Sequence, residues 1–403
     1  MAKSNLDVLS KRGQSVWIDY LSRDMLEQGE LARMMKEDAV VGVTSNPTIF
    51  QKAISQGDAY DAQLKELLPE ESDLKEIFLQ LSSRDVAAAL ELLAPVHERS
   101  PQDGFVSWEV DPTLAYDREG TFDEAMRLHA WIDRPNLYVK IPATKPGLGA
   151  IEDCVAHGKN INVTLIFSLQ RYREVVEAYF RGLERLVAGG GDPKPVHSVA
   201  SFFVSRVDTE ADKRLDAIGD RKALKLRGRL AVANAKLAYE HYREAFAGPR
   251  WEFLAGKGAN PQRCLWASTS TKNPAYRDVL YVEELIGPHT VNTMPEETIR
   301  AFQDHGEVRG DTVTEDVEEA HELFEKLAKV GVDYDDVTET LELEGVQKFA
   351  DSFAELLEKI AKAGVDYDDV TETLELEGVQ KFADSFAELL DGVGAKRGEL
   401  AAV

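Results

Sequence analysis

Along most of its length the chain alternates short apolar runs with stretches whose apolar positions recur at helical spacing. The first run, SVWIDY at 15–20, ends near Asp19, and a helical stretch over 22–37 follows. The second, AVVGV at 39–43, leads into TSNPTIF at 44–50. A long helical region over 58–94, broken at Pro69, separates it from the third run, GFVSWEV at 104–110. LYVKIPA at 137–143, NINVTLIF at 160–167 and HSVASFFVS at 197–205 are the fourth to sixth. A helical stretch over 224–247 precedes RCLWAS at 263–268, which leads into TSTKNP, and the short HTVNTM at 289–294 comes last. Such alternation is the signature of βα units and a parallel sheet. Eight runs predict a closed α/β barrel, a (β/α)8 TIM barrel, with extra helices.

Polar side chains cluster at or near the C-terminal ends of these runs: Asp19, Glu109, Asn162, Thr164, Ser201 and Arg206 among them. In such barrels that end carries the active site, and the other end mainly serves stability. Strand ends are generally more polar than strand middles, so one such residue means little. Seven of eight runs ending this way is a stronger pattern.

The fourth run holds one cation, Lys140, among apolar neighbours. In an extended run Leu137, Val139 and Ile141 point one way, and Tyr138 and Lys140 the other. Burying an ammonium is costly unless it has a partner or a task. Lysine is also the side chain that forms imines with carbonyl substrates once its amine is neutral. The competing reading is a strand-end lysine with its head in water.

With 403 residues, 43% apolar and 30% charged, the chain is globular in composition and long enough for one large α/β barrel. It has no apolar run long enough to span a membrane, and its first residues lack the core of a signal peptide. Cys154 and Cys264 give neither a disulfide framework nor metal spacing, which fits a cytoplasmic location. The formal net charge of −25 argues against nucleic-acid binding. It also means that an anionic substrate needs a local cluster of cations in the cleft.

The C-terminal part repeats. GVDYDDVTETLELEGVQKFADSFAELL stands at 331–357 and again, letter for letter, at 364–390. With its flanks the unit is 325–357 repeated as 358–390, an offset of 33 residues. Helical solenoids usually need at least three units, so two copies read as a duplication or an insertion. The division expected is a barrel over 1–324, two helical copies, and a flexible tail over 391–403. Each copy is expected to be a short acidic loop, a turn and an amphipathic helix with Val346, Phe349, Phe353, Leu356 and Leu357 on one face. Only one copy can fill the groove such a helix fits.

These residues carry a resemblance. TSNPTIF and LYVKIPATKPGLGAI resemble the two signatures of the transaldolases, and SWEVDPTLAYD, NVTLIFS and SFFVSRVD match the same family in the same order. The match covers roughly 16–357 and is similar to the longer bacterial form. It implies an enzyme of the pentose phosphate pathway that needs no metal or organic cofactor. Such an enzyme moves a dihydroxyacetone unit from sedoheptulose 7-phosphate or fructose 6-phosphate to an aldose phosphate.

Lys140 matches the family's imine lysine. Asp19 matches the carboxylate that takes the proton from the hydroxyl whose carbon is cut. Glu109 matches the acid/base that works through a water, and Thr164 the residue that helps hold it. Asn46, Asn162 and Ser201 match positions that bind hydroxyls, Phe203 a pocket wall, and Arg206 a phosphate-binding arginine. Fork geometry suits phosphate. The family's better-known members place another arginine after the seventh strand. Here the stretch is ASTSTKNP, so Ser268 and Lys272 are the nearest equivalents. By the same resemblance the C-terminal helix packs near the barrel mouth, where Tyr334 and Phe353, or Tyr367 and Phe386, would influence access.

Two other readings stay open at this stage. One is a Schiff-base fructose 6-phosphate aldolase acting on a single substrate, although those relatives are much shorter. The other is a scaffold whose duplicated helix serves assembly into a homo-oligomer.

Overall fold

The computed structural model describes residues 4–55 and 57–363. Eight parallel strands close a barrel in chain order. They are β1 (Gln14–Ile18), β2 (Val40–Thr44), β3 (Phe105–Glu109), β4 (Leu137–Pro142), β5 (Ile161–Ile166), β6 (Ser198–Phe203), β7 (Arg263–Ala267) and β8 (Thr290–Met294). β1 pairs with both β2 and β8, which closes the ring. All eight expected runs are therefore strands. Every strand position except Val41 is buried, as a sheet covered on both faces requires.

Alternation along each strand decides what enters the interior. Tyr138, two residues before Lys140, stacks on Phe105 of β3 with ring centroids 4.1 Å apart. It also meets Trp17 of β1 at 6.1 Å. Strands β1 and β4 are not neighbours, so these rings touch across the barrel. Lys140 shares their face. The lower end is closed by Arg263, the first residue of β7, which donates to Ser15 Oγ and to the carbonyls of Thr290 and Gln102 and pairs with Asp103 at 3.2 Å.

The helical stretches are more broken than their periodicity predicts. The 22–37 stretch is two helices, Arg23–Glu27 and Glu30–Glu37, because Gly29 turns the chain at φ +74°. The 58–94 stretch is Asp61–Leu67 and Leu74–Arg99, and the second continues through Pro95. The 224–247 stretch is Arg221–Leu224 and Leu230–Ala245.

The first repeat departs from the expected loop and turn. The helix Val317–Val330 stops at Gly331, and a helix of 30 residues, Tyr334–Ala363, begins at once. The acidic stretch is thus helical, with Asp335 and Asp336 in the first turn, where carboxylates complement the helix dipole. The repeat boundary at 357/358 falls inside this helix, and the one at 324/325 inside the helix before it. Residues 364–390 of the second copy, with Tyr367 and Phe386, and the tail 391–403 lie outside the described residues.

The long helix lies across the barrel mouth. Val346, Phe349, Phe353, Leu356 and Ile360 are buried, and Leu357 packs partly buried beside them. Tyr334 anchors its start, donating to Asn234 Oδ1 at 2.6 Å and accepting from Leu169 N at 2.9 Å. Arg171 pairs with Glu342, Thr48 bonds Ser352, and Phe353 meets Phe78 edge-on. At the crossing with the end of β5, a Cβ on Gly345 would stand 3.1 Å from Leu165 Cδ2, so glycine permits the close approach.

Candidate active site

The upper ends of the strands and the C-terminal helix enclose a cavity of about 570 Å³. Asp19, Asn46, Lys140, Thr164, Ser201, Phe203, Arg206, Ser268 and Lys272, nine of the eleven expected site residues, line it. Glu109 and Asn162 lie beneath. Parallel pairing explains their level: Glu109 is in register with Lys140, and Lys140 with Asn162. The three side chains therefore form one row on the inner face of β3, β4 and β5.

Lys140 is almost fully buried. Its Nζ lies 3.2 Å from Glu109 Oε2 and donates to the Ser45 carbonyl at 3.2 Å. The Phe349 ring of the C-terminal helix stands 5.6 Å from the same nitrogen, its π-face a further cation partner. Apart from the lysine contact, both Glu109 oxygens are buried without a protein partner among the described residues, as is Thr164 Oγ1. Buried polar atoms are satisfied as a rule, by water where protein does not reach them.

Burial pushes the Glu109 carboxyl up to about 7, with the Lys140 charge working against it. Burial raises Asp19 as well, opposed first by Lys140 and then by the Thr44 hydroxyl. Thr44 Oγ1 donates to Asp19 Oδ1 at 2.7 Å and is 2.6 Å from Thr293 Oγ1. Two carboxyls thus flank the amine, one beneath it and one at the cavity wall. Such an arrangement can take a proton from a bound hydroxyl and exchange protons with a reacting amine.

Asn162 is committed to the protein: it donates to Ser107 Oγ at 2.9 Å and accepts from Ser201 Oγ at 2.7 Å. Asn46 borders the cavity, while its Oδ1 accepts from Ile49 N at 3.0 Å and caps the Pro47–Ser55 helix. Thr164 precedes Leu165, which takes φ +59° where β5 breaks register with β6. A leucine there is strained by about 1–2 kcal/mol, and such strain concentrates where the backbone aims a side chain.

The far wall is cationic. Arg206, at the start of the Ser205–Ile218 helix, lies with its guanidinium 5.0 Å from the Phe203 ring. It makes no side-chain hydrogen bond or ion pair among the described residues, and burial lowers its pKa. Lys272 Nζ donates to Ser270 Oγ at 2.7 Å. Ser268 takes φ +57°, and its hydroxyl is 2.9 Å from Ser205 Oγ. Among the described residues no group of three or more His, Cys, Asp or Glu is gathered to hold a metal ion.

A sequence model of the transaldolase/fructose-6-phosphate aldolase family matches residues 16–360. The chain belongs to this family. A transaldolase of Frankia alni is 53% identical over 349 residues, 86% of this chain and 94% of that protein. A transaldolase of Mycobacterium tuberculosis strain ATCC 25618 / H37Rv is 53% identical over 351 residues, 87% and 94% of the two chains. One of Acidothermus cellulolyticus is 53% identical over 346 residues, 86% and 93%.

Among the cavity residues that the sequence reading missed, four stand out. Lys348 and Phe349 come from the C-terminal helix, Lys52 from the Pro47–Ser55 helix, and Thr293 from the end of β8. Phe349 was legible only as part of an apolar face. Thr293 carried a usable signal, a hydroxyl at the end of the eighth run. Lys348 and Lys52 carried none, since lysines beside an apolar helix stripe are ordinarily solvated.

Proposed function

We propose that this chain transfers a dihydroxyacetone unit from sedoheptulose 7-phosphate or fructose 6-phosphate to an aldose phosphate through an imine on Lys140. The observation that carries it is the placement of one amine between two carboxyls at the floor of a cavity with a cationic wall. Lys140 adds to the ketose carbonyl, and loss of water leaves the iminium. Glu109, poised near neutrality and adjacent to Nζ, accepts and returns the protons of these steps. A water shared with Thr164 is the relay, supported by the unpartnered oxygens of both residues.

Asp19 takes the proton from the hydroxyl on the carbon to be released. The carbon–carbon bond then breaks, its electron pair neutralises the iminium, and the aldose leaves. The three-carbon enamine remains on the lysine until it adds to the acceptor aldehyde. Ser201 and Asn46 bind its hydroxyls, Asn162 holds Ser201 in place, and Phe203 walls the pocket. Arg206, with Ser268 and Lys272, faces the phosphate end.

A single-substrate aldolase is the nearest alternative, since the family description includes that activity. The names of the 53%-identical relatives favour transfer. Borohydride added with fructose 6-phosphate should link a three-carbon unit to Lys140, read by peptide mass. An enzyme that turns over without that adduct would remove the imine mechanism.

The setting we propose is the pentose phosphate pathway in the cytoplasm, where two buried free cysteines stay reduced. We further propose that the segment over 325–357 closes the catalytic barrel and that the copy over 358–390 serves assembly. Light scattering should then give a larger mass for the full chain than for one lacking 358–390. Equal subunit number would dismiss the assembly role.

A further inference from the structure

The stretch STSTKNP at 268–274, just after β7, holds no arginine, and the Lys272 ammonium there is bonded to Ser270. Another cation reaches the same wall from a different element. Lys348 lies on the C-terminal helix beside Phe349, lines the cavity, and has no side-chain hydrogen bond or ion pair among the described residues. Arg206 on that wall likewise makes no hydrogen bond or ion pair with a carboxylate among the described residues.

Like charges on one wall raise the energy of both unless an anion sits between them. Lys348 is exposed at the cavity rim, and its pKa is lowered first by the Arg206 charge, then by burial, then by Lys272 and Lys52. The carboxylates in reach do not quench the pair. Asp19, and then Glu344 one helical turn before Lys348, act on Arg206 only through their charge. Glu296 on the cavity rim is tied to Arg300. In a chain of net charge −25 this cationic wall stands against the field of the whole molecule.

We propose that Lys348 and Arg206 together seat the phosphate of the substrate, so that the C-terminal helix supplies the second cation. The proposal rests on the transaldolase reading above. Guanidinium and ammonium divide the work, the fork fixing orientation and the point charge adding attraction. The same turn of helix also presents Phe349 to Lys140, so phosphate recognition and cover over the reactive amine belong to one element. An adjacent pair, Lys348–Phe349, delivers both.

The test is steady-state kinetics of the full-length chain with saturating sedoheptulose 7-phosphate as donor and glyceraldehyde 3-phosphate or glyceraldehyde as acceptor, read as erythrose 4-phosphate released. Lys348→Met should raise KM for the phosphorylated acceptor about tenfold or more, the worth of one charge-assisted hydrogen bond. Its effect on glyceraldehyde and on kcat should stay within about threefold. Inorganic phosphate should inhibit the parent competitively and the variant about tenfold more weakly. Lys348→Arg should restore most of the loss.

The second repeat carries Lys381 at the matching place, so Lys381→Met is the control and should behave as the parent. Equal losses on both acceptors, unchanged phosphate inhibition, or a loss caused by Lys381→Met instead would overturn the proposal. Circular dichroism and Lys348→Gln guard against a folding defect. A parent without an imine adduct would instead sink the underlying reading, and the two failures are distinct.

Discussion

Two cations are buried on the strands of this barrel, and they have opposite characters. Arg263 opens β7 at the lower end, and Lys140 sits near the end of β4 at the upper. Both are below a tenth exposed. Arg263 is held by Ser15, Asp103 and the carbonyls of Thr290 and Gln102, groups from three other places in the chain. Lys140 touches one carbonyl and one carboxyl that burial pushes toward its neutral form. Around Arg263 the polar groups are mostly spent on one another, with Arg263 Nε the one guanidinium nitrogen left unpartnered among the described residues. Around Lys140, Thr164 and Glu109 keep buried oxygens unspent. A buried charge enclosed by partners holds a structure together, whereas one left with open neighbours is available to react.

The sharpest way to break this comparison is to remove each cation in turn. Lys140→Ala should lower kcat by about 10⁴-fold or more, since no other group supplies the imine. Its thermal midpoint should stay within a few degrees of the parent, because Glu109 can answer the loss by taking a proton. Arg263→Met should do the reverse. It strands Asp103 and several acceptors, at about 3–5 kcal/mol of stability, while kcat measured well below the new midpoint stays near the parent value. If calorimetry finds Lys140→Ala the less stable of the two, the contrast is wrong.

The next largest effect concerns the carboxyl that separates the two cases. Glu109→Gln should cost about 10²–10⁴-fold in kcat and abolish a limb near pH 7 in the pH–rate profile. The sign follows from burial, which favours the neutral acid. The folded chain therefore keeps this proton, from the ordinary carboxylate range up to about 7, where an unfolded chain has released it. The stabilisation tied to that proton is lost as pH rises through about 7. A limb that persists in Glu109→Gln would assign it to another group. The smallest effect is the tenfold change expected at Lys348.

Much of this was legible beforehand, for reasons that differ by residue. The eight runs became eight strands because strands covered on both faces must be apolar throughout, a local demand. Nine of the proposed site residues line one cavity because parallel strands deliver all their C-terminal ends to one side. Asn162 illustrates the limit. It stands in register with Lys140 but is bonded to Ser107 and Ser201, and strand position alone does not tell a side chain open to the cavity from one spent on its neighbours. The acidic start of the repeat also misled, since carboxylates favour a helix N-terminus as readily as a loop.

The order of residues by itself determined the barrel, the end that holds the cavity, and the lysine placed there. Period, strand direction and motif order are properties of a line, and each has one sense along it. Tertiary structure alone decided that Lys348 and Phe349 join residues more than a hundred positions away, and that Arg263 is locked while Lys140 is not. Those are matters of which groups meet across space and which are left without a partner. Closing the ring and laying a helix over its mouth settle them.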